Sequence, residues 1–190
     1  MFTGVYVIKI WKPFDYQQVL YDLTHLNEFE WTFVQAAKTD KPEIRYVFRI
    51  EFGLHCFTRG LNTHKKELWD DVPSDLLYSD SREQRIFDFN RYELSKKLPE
   101  ITKELSKKKC FHTGKENFFI IELLNEQGLR QEYEVYFQVS KSQGKLKLFV
   151  QSAYIRDSNH RTSQPKKQKI SFFVIAHNVK TNKKIKLPPK

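Results

Sequence analysis

Four side chains in this 190-residue sequence have the chemistry to act on a phosphodiester: His55, Tyr154, Arg156 and His160. His55 stands in the stretch Ile44 to Arg59. There the even positions from Ile44 to Cys56 are apolar without a break, and the odd ones include Arg45, Arg49, Glu51, His55 and Arg59. A period of two is the signature of a strand with one buried face. The odd-numbered side chains then share the other face, about 6.5–7 Å apart, a spacing close to that of successive backbone phosphates. A histidine in such a strip can serve as general acid or base on a ribose 2′-hydroxyl or a leaving oxygen. Neighbouring arginines would depress its pKa and stabilise a pentavalent phosphorane. A solvated sheet face answered by a few carboxylates uses the same residue types, so both readings stand.

The second group is Gln151-Ser-Ala-Tyr-Ile-Arg-Asp157, with His160 and Arg161 just beyond. It ends a predicted strand in a turn, where rigid elements present functional side chains. Tyr154 offers a stacking ring, Arg156 a phosphate fork and His160 an acid or base. A hydrogen-bonded cluster closing a hairpin is the structural alternative. His55-Cys56 and Cys110-Phe-His112 hold the inventory of a zinc site. Their spacing does not fit, and alternation sends His55 and Cys56 to opposite faces, so no metal and no other cofactor is expected. Gly-rich phosphate loops, nucleophile elbows, H-E-x-x-H and C-x-x-C are all missing from the sequence. Acids are scarce in the second half, which disfavours a two-metal nuclease.

These residues need elements to hold them. Val5–Ile10 reads as a strand, Pro13 as a helix start with Phe14–Leu23 helical, and residues 28–36 as a second strand. The turn at Lys38–Pro42 then delivers the chain into Ile44–Arg59 as a hairpin partner. Residues 61–81 show no period and read as a connector or a functional loop. From Arg82, helical spacings suggest a helix, and Pro99 begins a second one. Strands follow at Asn117–Leu124, Tyr133–Val139, Lys145–Arg156 and Ile170–Val179, the last apolar on nearly both faces. The expected class is α+β with a mostly antiparallel sheet. The expected units are a strand–helix–hairpin over 1–60, a helical pair plus four-stranded antiparallel sheet over 82–180, and a basic tail over 181–190.

Charge narrows the partner. Net charge is +10, but residues 1–90 hold 11 Lys/Arg against 14 Asp/Glu, and the remainder holds 22 against 9. A basic half on a mildly acidic half points to a polyanion, most often nucleic acid, with Arg45, Arg49, Arg59, Arg161, Lys166, Lys167 and Lys169 as candidate contacts. Excess lysine that merely keeps an aromatic-rich protein soluble is the plainer alternative. An acidic protein partner is another. Apolar runs are too short for a transmembrane helix, a signal-peptide pattern is lacking, and two cysteines make no disulfide framework. A cytoplasmic protein that engages no membrane is the expectation.

Two helices followed by four strands over residues 82–180 resembles the barnase–RelE-like ribonuclease superfamily in element order and charge. That resemblance implies metal-independent RNA cleavage, with Tyr154 and Arg156 late in the sheet and His160 after it as candidate matches. The phrases Tyr133-Glu-Val-Tyr-Phe and Ser152-Ala-Tyr-Ile-Arg-Asp157 also look like uncharacterised phage and plasmid proteins of bacteria. The expected function is therefore a nucleic-acid-directed protein of a bacterial mobile element, with RNA favoured over DNA; metal-independent cleavage is the activity the resemblance implies, and whether the chain is an enzyme is left open. A non-catalytic binding module and a protein-interaction or anti-defence factor are the alternatives.

Overall fold

In the computed structural model, which describes residues 9–112, 117–124, 127–142, 144–156 and 168–185, the chain assembles around strand β4 (Ile44–His55). Phe48, Ile50, Phe52 and Leu54 of β4 are fully buried on one face, as their alternation requires. On one side β4 pairs antiparallel with β3 (Phe29–Gln35). On the other it pairs parallel with β11 (Lys145–Ile155), Leu146 lying opposite Phe48 and Ser152 opposite His55. Beyond β11 come β10 (Arg130–Ser142), β9 (Asn117–Leu124), β8 (Cys110–His112) and β12 (Gln168–Ile170), all antiparallel to their neighbours. The result is a single seven-stranded sheet in the order β12-β8-β9-β10-β11-β4-β3. The fold is α+β and mostly antiparallel, and its sheet runs through both halves of the chain.

The register between β4 and β11 shifts between Val150 and Ser152. Gly53 faces this shift. A Cβ there would stand 2.8 Å from the Gln151 carbonyl oxygen, so only glycine permits the close approach.

Helix α3 (Phe172–Lys180) lies on the apolar face of the sheet. Phe172 meets Phe33 and Phe48 with ring centroids 4.6 Å and 5.5 Å apart, and Ile175 and Ala176 are fully buried behind it. Helix α1 (Phe89–Ser95) packs on β11, and α2 (Leu98–Lys103) carries Pro99 in its first turn. At the carboxyl end of β4 the chain turns through Cys56 and Phe57 into β5 (Thr58–Arg59). This short strand forms a small sheet with β7 (Gln84–Phe87) and β6 (Leu77–Ser79).

Four expectations are corrected. Residues 14–23 form a hairpin, β1 (Phe14–Tyr16) and β2 (Val19–Tyr21), rather than a helix. Gln17 and Gln18 both take left-handed backbone angles, the pattern of a tight two-residue turn. Phe14, stacked 4.0 Å from Phe87, and Tyr21, 5.4 Å from the same ring, bind this hairpin to an aromatic cluster. The helix expected from Arg82 starts later: Gln84–Phe87 is β7, and Asp88 caps α1 by accepting from the Arg91 amide. The expected strand at Ile170–Val179 is a three-residue strand followed by α3, because Phe172, Ile175, Ala176 and Val179 share a helical stripe while Val174 faces solvent. The expected four-stranded antiparallel sheet is part of the larger mixed one. Of the first expected strand, Lys9 and Ile10 are not in a strand, and residues 5–8 lie outside the described residues.

Candidate functional site

The carboxyl ends of the parallel pair β4 and β11 lie side by side and bring His55 and Tyr154 into one region. His55 Nε2 is 2.8 Å from Glu83 Oε1, just before β7. The other oxygen of Glu83 lies 3.5 Å from Arg85 Nη1, and Arg85 Nε donates to the buried Thr58 hydroxyl at 3.0 Å. Arg91 of α1 reaches beneath: its Nη1 donates to the carbonyls of His55 (3.2 Å) and Thr58 (2.9 Å). The guanidinium of Arg91 also lies 5.2 Å from the centre of the Tyr154 ring. Burial pushes the His55 pKa down, Arg85 and Arg91 push the same way, and the Glu83 bond opposes them only in part. Burial also works against the charge of Arg91 and raises the Tyr154 hydroxyl above its ordinary value.

Next to this group a second one closes on itself. Arg156 donates through Nε and Nη2 to the two oxygens of Glu134, at 2.9 Å and 3.0 Å, and Glu134 is fully buried. Tyr136 donates to Glu134 at 2.8 Å and stacks on Tyr154, with centroids 5.8 Å apart. The Glu134 bond holds Arg156 charged, above the usual guanidinium pKa. This arrangement orders the Tyr154 ring and neutralises the buried carboxylate.

The opposite end of β4 lies about 35 Å away at strand rise. Two turns and a helix end lie toward that end of the sheet. The β3–β4 turn carries Lys38 and Lys41, Arg45 is the second residue of β4, the β10–β11 turn is flanked by Lys141 and Lys145, and α3 ends in Lys180 before Lys183 and Lys184. Lys141 Nζ donates to the Lys180 carbonyl at 3.3 Å, which joins the turn to the helix end. The Lys180 ammonium lies 5.3 Å from the Tyr46 ring centre. All eight basic residues are exposed. Two have acid partners, Lys145 with Glu30 and Arg45 with Glu43, in surface pairs of the kind that are worth little.

Of the expected catalytic residues, His55 and Tyr154 are brought to one region through Arg91, and Arg156 stands beside them bound to Glu134. Of the expected contacts, Arg45 is at the lysine-rich end, and Lys169 is exposed on the edge strand β12. Arg49 lies 3.0 Å from Glu51, and Arg59 forks onto Glu67 at 2.7 Å and 3.0 Å. His160, Arg161, Lys166 and Lys167 lie outside the described residues. Sequence reasoning missed Glu83, Arg85 and Arg91, whose only signal was that Arg85 alternates with Glu83 just before an aromatic pair. Among the described residues no group of three His, Cys, Asp or Glu could hold a metal ion. Cys110 and His112 share the buried face of β8, but three strands separate β8 from β4, about 19 Å across the sheet. Among the described residues no helix is long and apolar enough to cross a membrane.

Residues 13–180 match the YjaZ family. The chain is 28% identical over 185 residues to Protein YjaZ of Escherichia coli (strain K12), a match that covers 96% of this chain and 98% of that protein. No solved structure matches it significantly. Neither name states an activity.

Proposed function

We propose that this chain, which belongs to the YjaZ family, is directed to nucleic acid and grips it electrostatically at the lysine-rich end of the sheet. The observation that carries the reading is the convergence of Lys38, Lys41, Arg45, Lys141, Lys145, Lys180, Lys183 and Lys184 on one end of the fold from three separate segments. Exposed ammonium groups from several elements suit a phosphate backbone, which rewards charge density and asks for no fixed geometry. RNA is favoured over DNA because His55 and Tyr154 supply a partner for a ribose 2′-hydroxyl and a ring for an unstacked base.

Cleavage of the bound RNA without metal is the second reading, and the bond between His55 and Glu83 is the observation that favours it. One experiment tests both. Purified protein is incubated with labelled RNA and DNA, with and without chelator, and retention and product are followed. Retention of RNA above DNA, weakening steeply with salt and indifferent to chelator, is the expected result. Retention of neither at low salt would overturn the binding reading and favour a protein partner.

A further inference from the structure

We propose that His55 is a proton acceptor through Nδ1, held in that role by Glu83 as its positioning residue. A carboxylate only accepts hydrogen bonds, so the proton in the 2.8 Å contact sits on Nε2 of His55. In a neutral imidazole the lone pair is then on Nδ1, and no hydrogen bond to Nδ1 is made among the described residues. The ring is held by Glu83, and the groups on either side of that bond are anchored in turn. Glu83 is itself anchored, its amide donating to Asp80 Oδ1 at 3.1 Å and its second oxygen facing Arg85. The His55 carbonyl is held by Arg91, and the His55 side chain remains about one-third exposed, 34%. A base must be oriented, neutral and reachable, and His55 meets these three conditions.

The charged groups facing His55 are Glu83 and Arg85 from β7 and its approach and Arg91 from α1. The two guanidiniums, together with burial, favour the neutral ring, and in the proposed step their charge would also favour an anionic phosphorane formed beside His55. The substrate class rests on the RNA reading above: a ribose 2′-hydroxyl beside its own phosphodiester. Nδ1 takes the 2′-proton as that oxygen bonds to phosphorus, and the bond from phosphorus to the 5′ oxygen breaks. The leaving oxygen takes a proton from water, and the imidazolium returns its proton to the hydroxide so formed. The products are a 2′,3′-cyclic phosphate and a 5′-hydroxyl.

The test combines imidazole nitrogen NMR with a cleavage assay on the full chain. The wild-type His55 ring should be the Nε2–H tautomer at pH 7, with a protonation midpoint below the ordinary 6.5. Glu83→Gln should lower that midpoint further, loosen the tautomer preference and cut the cleavage rate about 10²-fold or more, with KM unchanged. His55→Ala should abolish product while RNA retention persists. An Nδ1–H tautomer in the wild-type protein overturns the proposal without recourse to any variant. Absence of cleavage by wild-type protein that still retains RNA also overturns it, and leaves the binding reading standing. The tautomer is read on the protein without RNA, so the two claims fail separately.

Discussion

A guanidinium whose fork is filled by a buried carboxylate cannot also clamp a phosphate without leaving that carboxylate unpaired. Arg156 is in this position on Glu134, so its first role is to neutralise a fully buried charge. Arg156→Ala should therefore destabilise the fold by about 3–5 kcal/mol in urea unfolding, and adding Glu134→Gln should recover part of the loss. An effect confined to RNA affinity, with stability unchanged, would restore Arg156 as a ligand contact. Arg59 tells a similar story in milder form. Its fork holds the Glu67 carboxyl down at about 2, from an ordinary value near 4.5. The carboxyl is depressed, so its stabilising contribution is present above pH 4.5 and is lost as pH falls from there toward 2. Arg59→Gln should flatten that acid limb of the stability curve. At this scale the sequence showed the cations plainly, since their positions alternate with apolar residues. Their partners were hidden because Glu67 and Glu134 lie 8 and 22 residues away and are reached only through turns and cross-strand pairing.

Elements with a clean period were legible. β4, β10 and β11 follow from alternation alone, and Pro99 marked the start of α2. Two elements were not. Phe172 to Val179 is a short apolar run, and such a run fits a buried strand or a buried helix until something decides which face is covered. Tyr16-Gln-Gln-Val19 turns tightly without the Asn-Gly or Asp-Gly that usually announces a hairpin, so Pro13 was read as a helix start instead. The pairing of β4 with β11 has no local signal at all. It joins strands separated in sequence by the whole of β5 to β10, and it depends on a backbone approach that only Gly53 permits. Gly53→Ala should cost about 1–3 kcal/mol, because the nearest colliding atom, the Gln151 carbonyl oxygen, belongs to the β11 backbone and cannot rotate away. Thermal unfolding of that variant, with Gly60→Ala as the uncrowded control, checks the claim. A Cβ at Gly60 would come no nearer than 3.8 Å to the end of the Arg85 side chain.

At the scale of the whole molecule, charge was the part of function most open to sequence reading, but its placement was not. Basic residues of the second half reach the lysine-rich end of the sheet because α3 runs back to the β10–β11 turn, where Lys141 meets the Lys180 carbonyl. His25, His55 and His112 all have pKa values lowered chiefly by burial, so the folded state binds fewer protons than the unfolded chain. Their combined contribution is fully present above the ordinary imidazole pKa near 6.5 and is lost as pH falls below it, through the depressed folded values. Stability measured from pH 8 to pH 5 should decline accordingly, and a flat profile would contradict that burial. The central claim concerns the lysine-rich end, and the salt dependence of RNA binding tests it most directly. For single strands log K falls against log salt with a slope of about −0.7 per phosphate neutralised. Replacing Lys141, Lys180, Lys183 and Lys184 together by Gln should make that slope shallower by about 3 units, with the fold unchanged. An unchanged slope and affinity in that variant would contradict the account.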